Sequence, residues 1–245
     1  NARTGRGRHV SAHRSLACAA ALGLAGCVAH ADEPAGDPFV RAFKTVRPSV
    51  VLFTMKIPTD DPKKKGQWDD AYGTGIVVVS GAWGSQILTV EHVIHDSRDL
   101  HATVSGRRAV PATVVARDEK DDLALVETKQ PNLPIAKLGT ARGVEPGTSV
   151  GVAGYPIPDA FQDEGLGVAT SVYAGRISSV RKDALELDLP IIPGESGGPV
   201  FEADGGAVVG LAESRFEEEK AIGFAIPIDD AVRFLRGKLH AAAQR

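Results

Sequence analysis

The sequence predicts an all-β fold with a short helix at each end. Three observations carry that reading. Glycine (27) and proline (15) are plentiful among the 245 residues, while aromatics make up only 5%. Such a composition favours many short strands joined by turns over a helical bundle. Runs rich in β-branched residues succeed one another every roughly 8–15 residues, the rhythm of a sandwich or barrel. Apolar residues recur at helical spacing only near the two ends. A hydrophobic content of 43% suffices for a sizeable core, and the length suits one large domain or two small ones.

In chain order, residues 1–31 read as a secretory leader set apart from the fold. Arg3, Arg6, Arg8 and Arg14 make a basic start, the apolar run SLACAAALGLAGCVA follows, and Ala29-His30-Ala31 gives a small-residue cleavage site before Asp32. The run is too short for a spanning helix. Within it LAGC, Leu24 to Cys27, resembles a bacterial lipobox and offers the alternative of a lipid on Cys27. These residues hold four arginines and no acid, so without them the formal charge passes from −3 to −7. So acidic a domain is a poor candidate for binding nucleic acid or anionic lipid, and membrane association is expected only through Cys27. Both cysteines, Cys18 and Cys27, lie in this leader. The rest of the chain therefore has no disulfide, thiol nucleophile or cysteine-based zinc site.

Asp37-Pro38 then reads as a helix N-cap with proline at the first helical position. Phe39, Val40, Phe43 and Val46 follow at helical spacing until Pro48. SVVLFTMKI is a strand, and the polar PTDDPKKKGQWDDAYG is expected to be a surface loop. Eleven further strands are expected: TGIVVVS, SQILTV, HATVSG, VPATVVARD, DLALVET, SVGVAGY, VYAGRISSV, ALELDL, GPVFE, AVVGLAES and IGFAIP. Pro227 and Asp229 open a last helix with Val232, Leu235 and Leu239 as its stripe. No linker divides the middle, and no internal repeat is visible.

The stretch IIPGESGGPV raises the chemical question. Glycines at 194, 197 and 198 let the backbone take conformations that a side chain blocks, and such a turn can aim the amides of Gly194 and Ser196 into one small space. Alone, GESGGP is equally a tight turn. A serine nucleophile needs a base, a group to orient the base, and donors for an oxyanion. Five histidines follow Cys27: His30, His92, His95, His101 and His240. His92 follows the strand SQILTV and is flanked by apolar Val93 and Ile94; singly, it could equally be a satisfied half-buried histidine. His95 could share a helical face with it as a metal pair, but no third ligand stands nearby at metal spacing. Among Asp118, Asp121 and Asp122, the last touches the apolar strand LALV. A carboxylate at the edge of a core needs a partner, though a turn acid is the plainer reading. The three occur in the order His, Asp, Ser, each at a strand boundary, which is the chain order of chymotrypsin-type triads.

These segments resemble the exported trypsin-like serine proteases of the HtrA (Deg) group. GTGIVVV is similar to that family's opening strand, ILTVEHVI to its histidine strand with Glu91 in place of Asn or Ala, and KDDLALVE to its aspartate strand. LDLPIIPGESGGPVF resembles its serine loop, and GFAIPIDDAVRFL its final strand and helix. The likeness covers about residues 38 to 239. It implies a chymotrypsin-like double β-barrel, with barrels over about 38–140 and 141–239 and the site between them. It also implies an exported serine endopeptidase with Ser196 as nucleophile, His92 as base and then acid, and Asp122 as orienter. The Gly194 and Ser196 amides would bind the oxyanion, and no cofactor is required. Glu195 replaces the family's Asn or Asp and is expected to face solvent. No PDZ domain is expected after the last helix.

Trypsin-like specificity needs an acid six residues before the serine, where this chain has Pro190 between Leu189 and Ile191. An apolar, shallow pocket around Pro190, Ile191 and Ile192 is expected, with cleavage after small or medium aliphatic residues. Ala212, Glu213 and Ser214, in GLAESRFEEE, are expected to supply the edge that pairs with an extended polypeptide substrate. The envelope of a bacterium is the expected location, as a soluble or lipid-anchored periplasmic protein. A catalytically inactive peptide-binding module of the same fold is the competing reading, and the oligomeric state is open.

Overall fold

The computed structural model describes residues 36–104, 107–213 and 222–242. The leader, its lipobox and cleavage site, Ser214 and the acids Glu217 to Glu219 lie outside the described residues.

Among the described residues, twelve strands and four α-helices follow in order. Helix α1 (Pro38–Val46) is capped as its sequence demands, the Asp37 side chain accepting the Phe39 N–H with proline at the first helical position. Strand β1 (Val50–Pro58) then pairs along its whole length with β2 (Trp68–Gly81). The first barrel continues through β3 (Gly84–Thr89), the short helix α2 (Glu91–Ile94), β4 (Arg98–Val104), β5 (Val110–Asp118) and β6 (Leu123–Thr128). The second is built from β7 (Ser149–Gly154), β8 (Ser171–Val180), β9 (Leu185–Leu187), β10 (Pro199–Glu202), β11 (Val208–Glu213) and β12 (Gly223–Pro227). Helix α3 (Pro158–Asp163) follows β7, and α4 (Ile228–Ala242) follows β12.

Both sheets close. The first runs β1-β2-β3-β6-β5-β4 and the second β7-β8-β9-β12-β11-β10. The two barrels thus repeat one strand order although the sequence shows no repeat. Closure removes exposed sheet edges, and buried apolar residues pack each barrel: Ile76, Ile87, Leu88 and Leu125 in the first, Val150, Ile177, Leu185 and Leu187 in the second.

One expected loop is half strand. PTDDPKKKGQWDDAYG folds as a single 3-10 turn, and Trp68 onward belongs to β2. This arm is polar because it is exposed, and it is held by β1 rather than by burial. Pro58 pairs with Trp68, Lys56 bridges Asp70 at 2.8 Å, and the Arg98 guanidinium sits 3.8 Å over the Trp68 ring.

The end helices tie the barrels together. Helix α1 packs on β7 and β10 of the second barrel, with Phe39 stacked on Phe201 at 5.9 Å. Helix α4 packs on β11 and β12 and also on β6, burying Ile228, Ala231, Phe234 and Leu235.

Candidate active site

His92 sits in α2, one turn of helix directly after β3, and Asp122 in the turn that leads into β6. β3 and β6 are paired neighbours, Thr89 standing opposite Ala124, so the two turns open side by side at one end of the barrel. Asp122 adopts φ +48, a left-handed conformation that aspartate tolerates better than most residues. It grips the histidine twice. Oδ2 lies 2.7 Å from His92 Nδ1, and Oδ1 accepts the His92 backbone N–H at 2.8 Å. The Asp122 carbonyl accepts the Glu91 N–H at 3.2 Å. A ring held so at Nδ1 turns Nε2 outward. Asp118, weighed as an alternative acid, instead accepts the Lys120 and Asp121 N–H groups in its own turn.

Burial by itself would lower the His92 pKa. The Asp122 hydrogen bond and charge, with weaker pulls from Glu213 and Glu91, outweigh it and hold the ring above its ordinary value. His95 makes no pair with His92: its Nδ1 lies 3.0 Å from Glu91 Oε1.

Ser196 enters from the second barrel, in the loop between β9 and β10. Gly194 (φ +96) and Gly197 (φ +84) both occupy the left-handed region. A side chain at Gly194 would collide with the Tyr155 carbonyl, and one at Gly197 with the Thr74 carbonyl and Thr89 hydroxyl. The loop is stapled to the first barrel by Thr74 of β2. The Thr74 hydroxyl donates to the Gly194 carbonyl at 2.6 Å, accepts the Tyr155 N–H at 3.2 Å, and its backbone N–H donates to the Ser196 carbonyl at 2.9 Å. Buried Thr89 in turn donates to the Thr74 carbonyl at 2.7 Å. With both carbonyls tied back, the Gly194 and Ser196 N–H groups donate to no protein acceptor among the described residues. Sequence reading missed Thr74; its signal is a threonine between two glycines at the start of an apolar strand.

His92, Gly194 and Ser196 line one cleft of about 420 Å³ together with Ile57, Tyr72 and Val93. No hydrogen bond joins Ser196 Oγ to the imidazole. Glu195 corrects the expectation of a solvent-facing carboxylate: it is 0% exposed, because its Oε2 accepts the Ile192 N–H and turns the side chain inward.

The candidate substrate residues divide. Pro190 is exposed and Ile192 half-buried. Ile191 packs on the second core, over Gly223, where a Cβ would come within 3.0 Å of it. Ala212 is a correction as a free pairing edge. It is fully buried, its carbonyl accepts the Gly197 N–H and its N–H donates to the Gly198 carbonyl, both at 2.8 Å. It therefore holds the serine loop. Glu213, next along β11, lines a second cleft with Asp121, Asp122, Asp183 and Arg233.

A trypsin-like peptidase domain matches residues 73–211. Among curated proteins, the putative serine protease HhoB of Synechocystis sp. (strain ATCC 27184 / PCC 6803 / Kazusa) is 28% identical over 84% of this chain and 48% of its own length. A probable periplasmic serine endoprotease DegP-like of Pseudomonas putida (strain GB-1) is 30% identical over 71% of this chain and 36% of its own length. The chain thus spans less than half the length of these relatives. Among solved structures, the HtrA-type protease AlgW with tripeptide superposes with a TM-score of 0.67 at 24% identity, covering 81% of this chain and 62% of that one. At that identity the likeness speaks for the fold.

Proposed function

The chain belongs to the trypsin-like peptidase family, with an HtrA-type protease domain, and from that premise we propose that it is a serine endopeptidase of the bacterial envelope using His92, Asp122 and Ser196. The observation that carries the proposal is the double grip of Asp122 on His92, 2.7 Å to the ring and 2.8 Å to the backbone, in a cleft that also holds Ser196.

In this reading His92 Nε2 takes the proton from Ser196 Oγ as the oxygen attacks the substrate carbonyl carbon. The electron pair displaced onto the carbonyl oxygen is met by the Gly194 and Ser196 N–H groups. The C–N bond then breaks, His92 gives its proton to the departing amine, and an acyl-Ser196 remains. Water repeats the sequence: His92 takes its proton, the hydroxyl adds to the acyl carbon, and the proton returns to Ser196 Oγ as the ester bond breaks. Asp122 holds the tautomer and stabilises the imidazolium. Each amide donor contributes about 2.7–4 kcal/mol to the transition state, so the Thr74 staple matters as much as the triad.

Specificity follows from the floor of the pocket. In this reading Ile191, packed against Gly223, forms the floor of an apolar, shallow site beside Pro190 and Ile192, which would favour cleavage after small or medium aliphatic residues. Extended or misfolded envelope polypeptides are the substrates this fits, and the DegP-like relatives, named periplasmic endoproteases, support the location. The lack of a hydrogen bond between Ser196 Oγ and His92 is the feature that a peptide-binding, inactive module would share. Digestion of unfolded casein with mass mapping of the new termini tests the reading. Cuts after Ala, Val or similar residues, lost in Ser196→Ala, are expected. Cuts after Arg or Phe would contradict the pocket assignment, and no cuts by the folded protein would favour the binding module.

A further inference from the structure

The serine loop contains a carboxyl group that the triad does not use. Glu195 stands between Gly194 and Ser196, whose N–H groups donate to no protein acceptor among the described residues, and its side chain is turned inward with 0% exposure. Its Oε2 accepts the Ile192 N–H at 2.9 Å, and its own N–H donates to the Ile192 carbonyl at 2.9 Å, so side chain and backbone close rings across the same four residues, 192–195. Its Oε1 is buried without a hydrogen-bond partner. Around it, Gly154 at the end of β7 comes so close that a Cβ there would lie 3.1 Å from Glu195 Cα, and Thr74 of β2 lies alongside; neither is charged. From β8 the Tyr173 phenol faces it, itself raised by burial first and then by the Glu195 charge. No cation bridges it among the described residues.

An ionised carboxylate in such a place has lost its water and gained one N–H donor. A protonated one keeps that bond and buries no charge. We infer that Glu195 is a positioning residue for the oxyanion-binding amides, holding them in place while its carboxyl is protonated and releasing them when it ionises. The kinetic side of this rests on the hydrolase reading of the same loop. Once charged, the side chain is relieved by swinging to water. The peptide unit after Glu195 carries the Ser196 N–H, so that swing turns this donor off the cleft, and loss of the two Ile192–Glu195 bonds frees the turn that carries the Gly194 N–H. Glycine at 194 offers little resistance to the turn. Burial pushes the Glu195 carboxyl up to about 7, with the Ile192 N–H working against it. His92 is held above its ordinary value, and the two groups act in opposite directions: His92 must lose its proton for catalysis and Glu195 must keep one.

The test follows three signals across about pH 5 to about pH 9. They are modification of Ser196 by a fluorophosphonate in the full chain and in Glu195→Gln, the carboxyl 13C resonance of Glu195, and the amide resonances of Gly194 and Ser196. Wild-type modification is expected to rise and then fall by about 10²-fold or more, the loss of at least one oxyanion donor. Glu195→Gln, which cannot ionise, keeps the rise and lacks the fall, and in the wild type both amides shift with the carboxyl. A carboxyl that titrates in the ordinary range, amides that ignore it, or an alkaline fall that persists in Glu195→Gln overturns the inference. Absence of modification at every pH in folded wild type overturns the hydrolase reading instead, and the joint carboxyl and amide titration then decides the positioning role alone. The same wild-type resonances decide it if Glu195→Gln fails to fold.

Discussion

At His92, burial and a carboxylate pull in opposite directions, and the carboxylate wins. A base must be neutral to accept a proton, so kcat/KM is expected to rise with pH through a value above the ordinary imidazole pKa of about 6.5 and to be lost below it. Asp122→Asn removes the bond and the charge together. It should cut kcat about 10⁴-fold and move the acid limb of the pH profile downward; a limb that stays in place would remove Asp122 from its role. Glu195 gives a thermodynamic counterpart. Its folded pKa lies near 7 against an ordinary 4.5, so the folded state holds the proton more tightly and stability falls as pH rises between those values. Urea midpoints measured over that range should decline in wild type more steeply than in Glu195→Gln. At this scale the sequence was partly legible. Ser196, His92 and Asp122 announce themselves by glycine crowding, strand ends and chain order. Glu195 reads locally as a surface acid, because the contact that turns it inward is to a backbone N–H that no pattern displays.

The elements explain what a local reading leaves out. Thr74 acts on Gly194 across 120 residues of chain, and nothing near position 74 encodes that distance. Thr74→Val keeps the shape and removes the hydroxyl, leaving the Gly194 carbonyl and the buried Tyr155 N–H unpaired. A cost of about 1–3 kcal/mol in stability is expected, with kcat falling more than KM rises, since the amides matter most in the transition state. Thr74→Ser should restore both; a variant that loses stability alone would show that the staple holds the fold but not the site. Strands rich in β-branched and aliphatic residues were all legible, because their positions are mostly buried on both faces and burial dictates their composition. The Trp68–Tyr72 arm of β2 was not. It is held by a partner strand, an ion pair and a cation–π contact, and such an exposed ribbon needs no apolar alternation. The single turn α3 was missed as well: its six residues, Pro158–Asp163, are too few to carry helical periodicity.

Over the whole molecule, two barrels of identical strand order meet at the cleft, each delivering part of the site. That repetition was invisible in the sequence because closure constrains which positions point inward, while any β-branched or aliphatic residue fills them. The barrels are joined at their ends. Asp229 at the start of α4 accepts the Ala141 N–H at 2.6 Å and the Thr140 hydroxyl at 3.0 Å, pinning the segment between the barrels. Burial alone would raise its pKa, but these donors and Arg142 hold it below the ordinary value. Its contribution is therefore present above the unfolded carboxylate pKa and lost as pH falls through the folded one, and Asp229→Asn should flatten the acid side of the stability curve. Leu235→Ala, at a site 4% exposed where α4 meets the barrels, should cost about 2–5 kcal/mol by urea unfolding, with both barrels melting in one transition. The central claim is that residues from both barrels meet to activate one hydroxyl, and the most direct measurement is the site of covalent attack. The folded chain is treated with a fluorophosphonate, digested and mapped by mass. The account predicts an adduct on Ser196, lost in Ser196→Ala and in His92→Ala; folded protein that takes no adduct, or takes it on another residue, would contradict it.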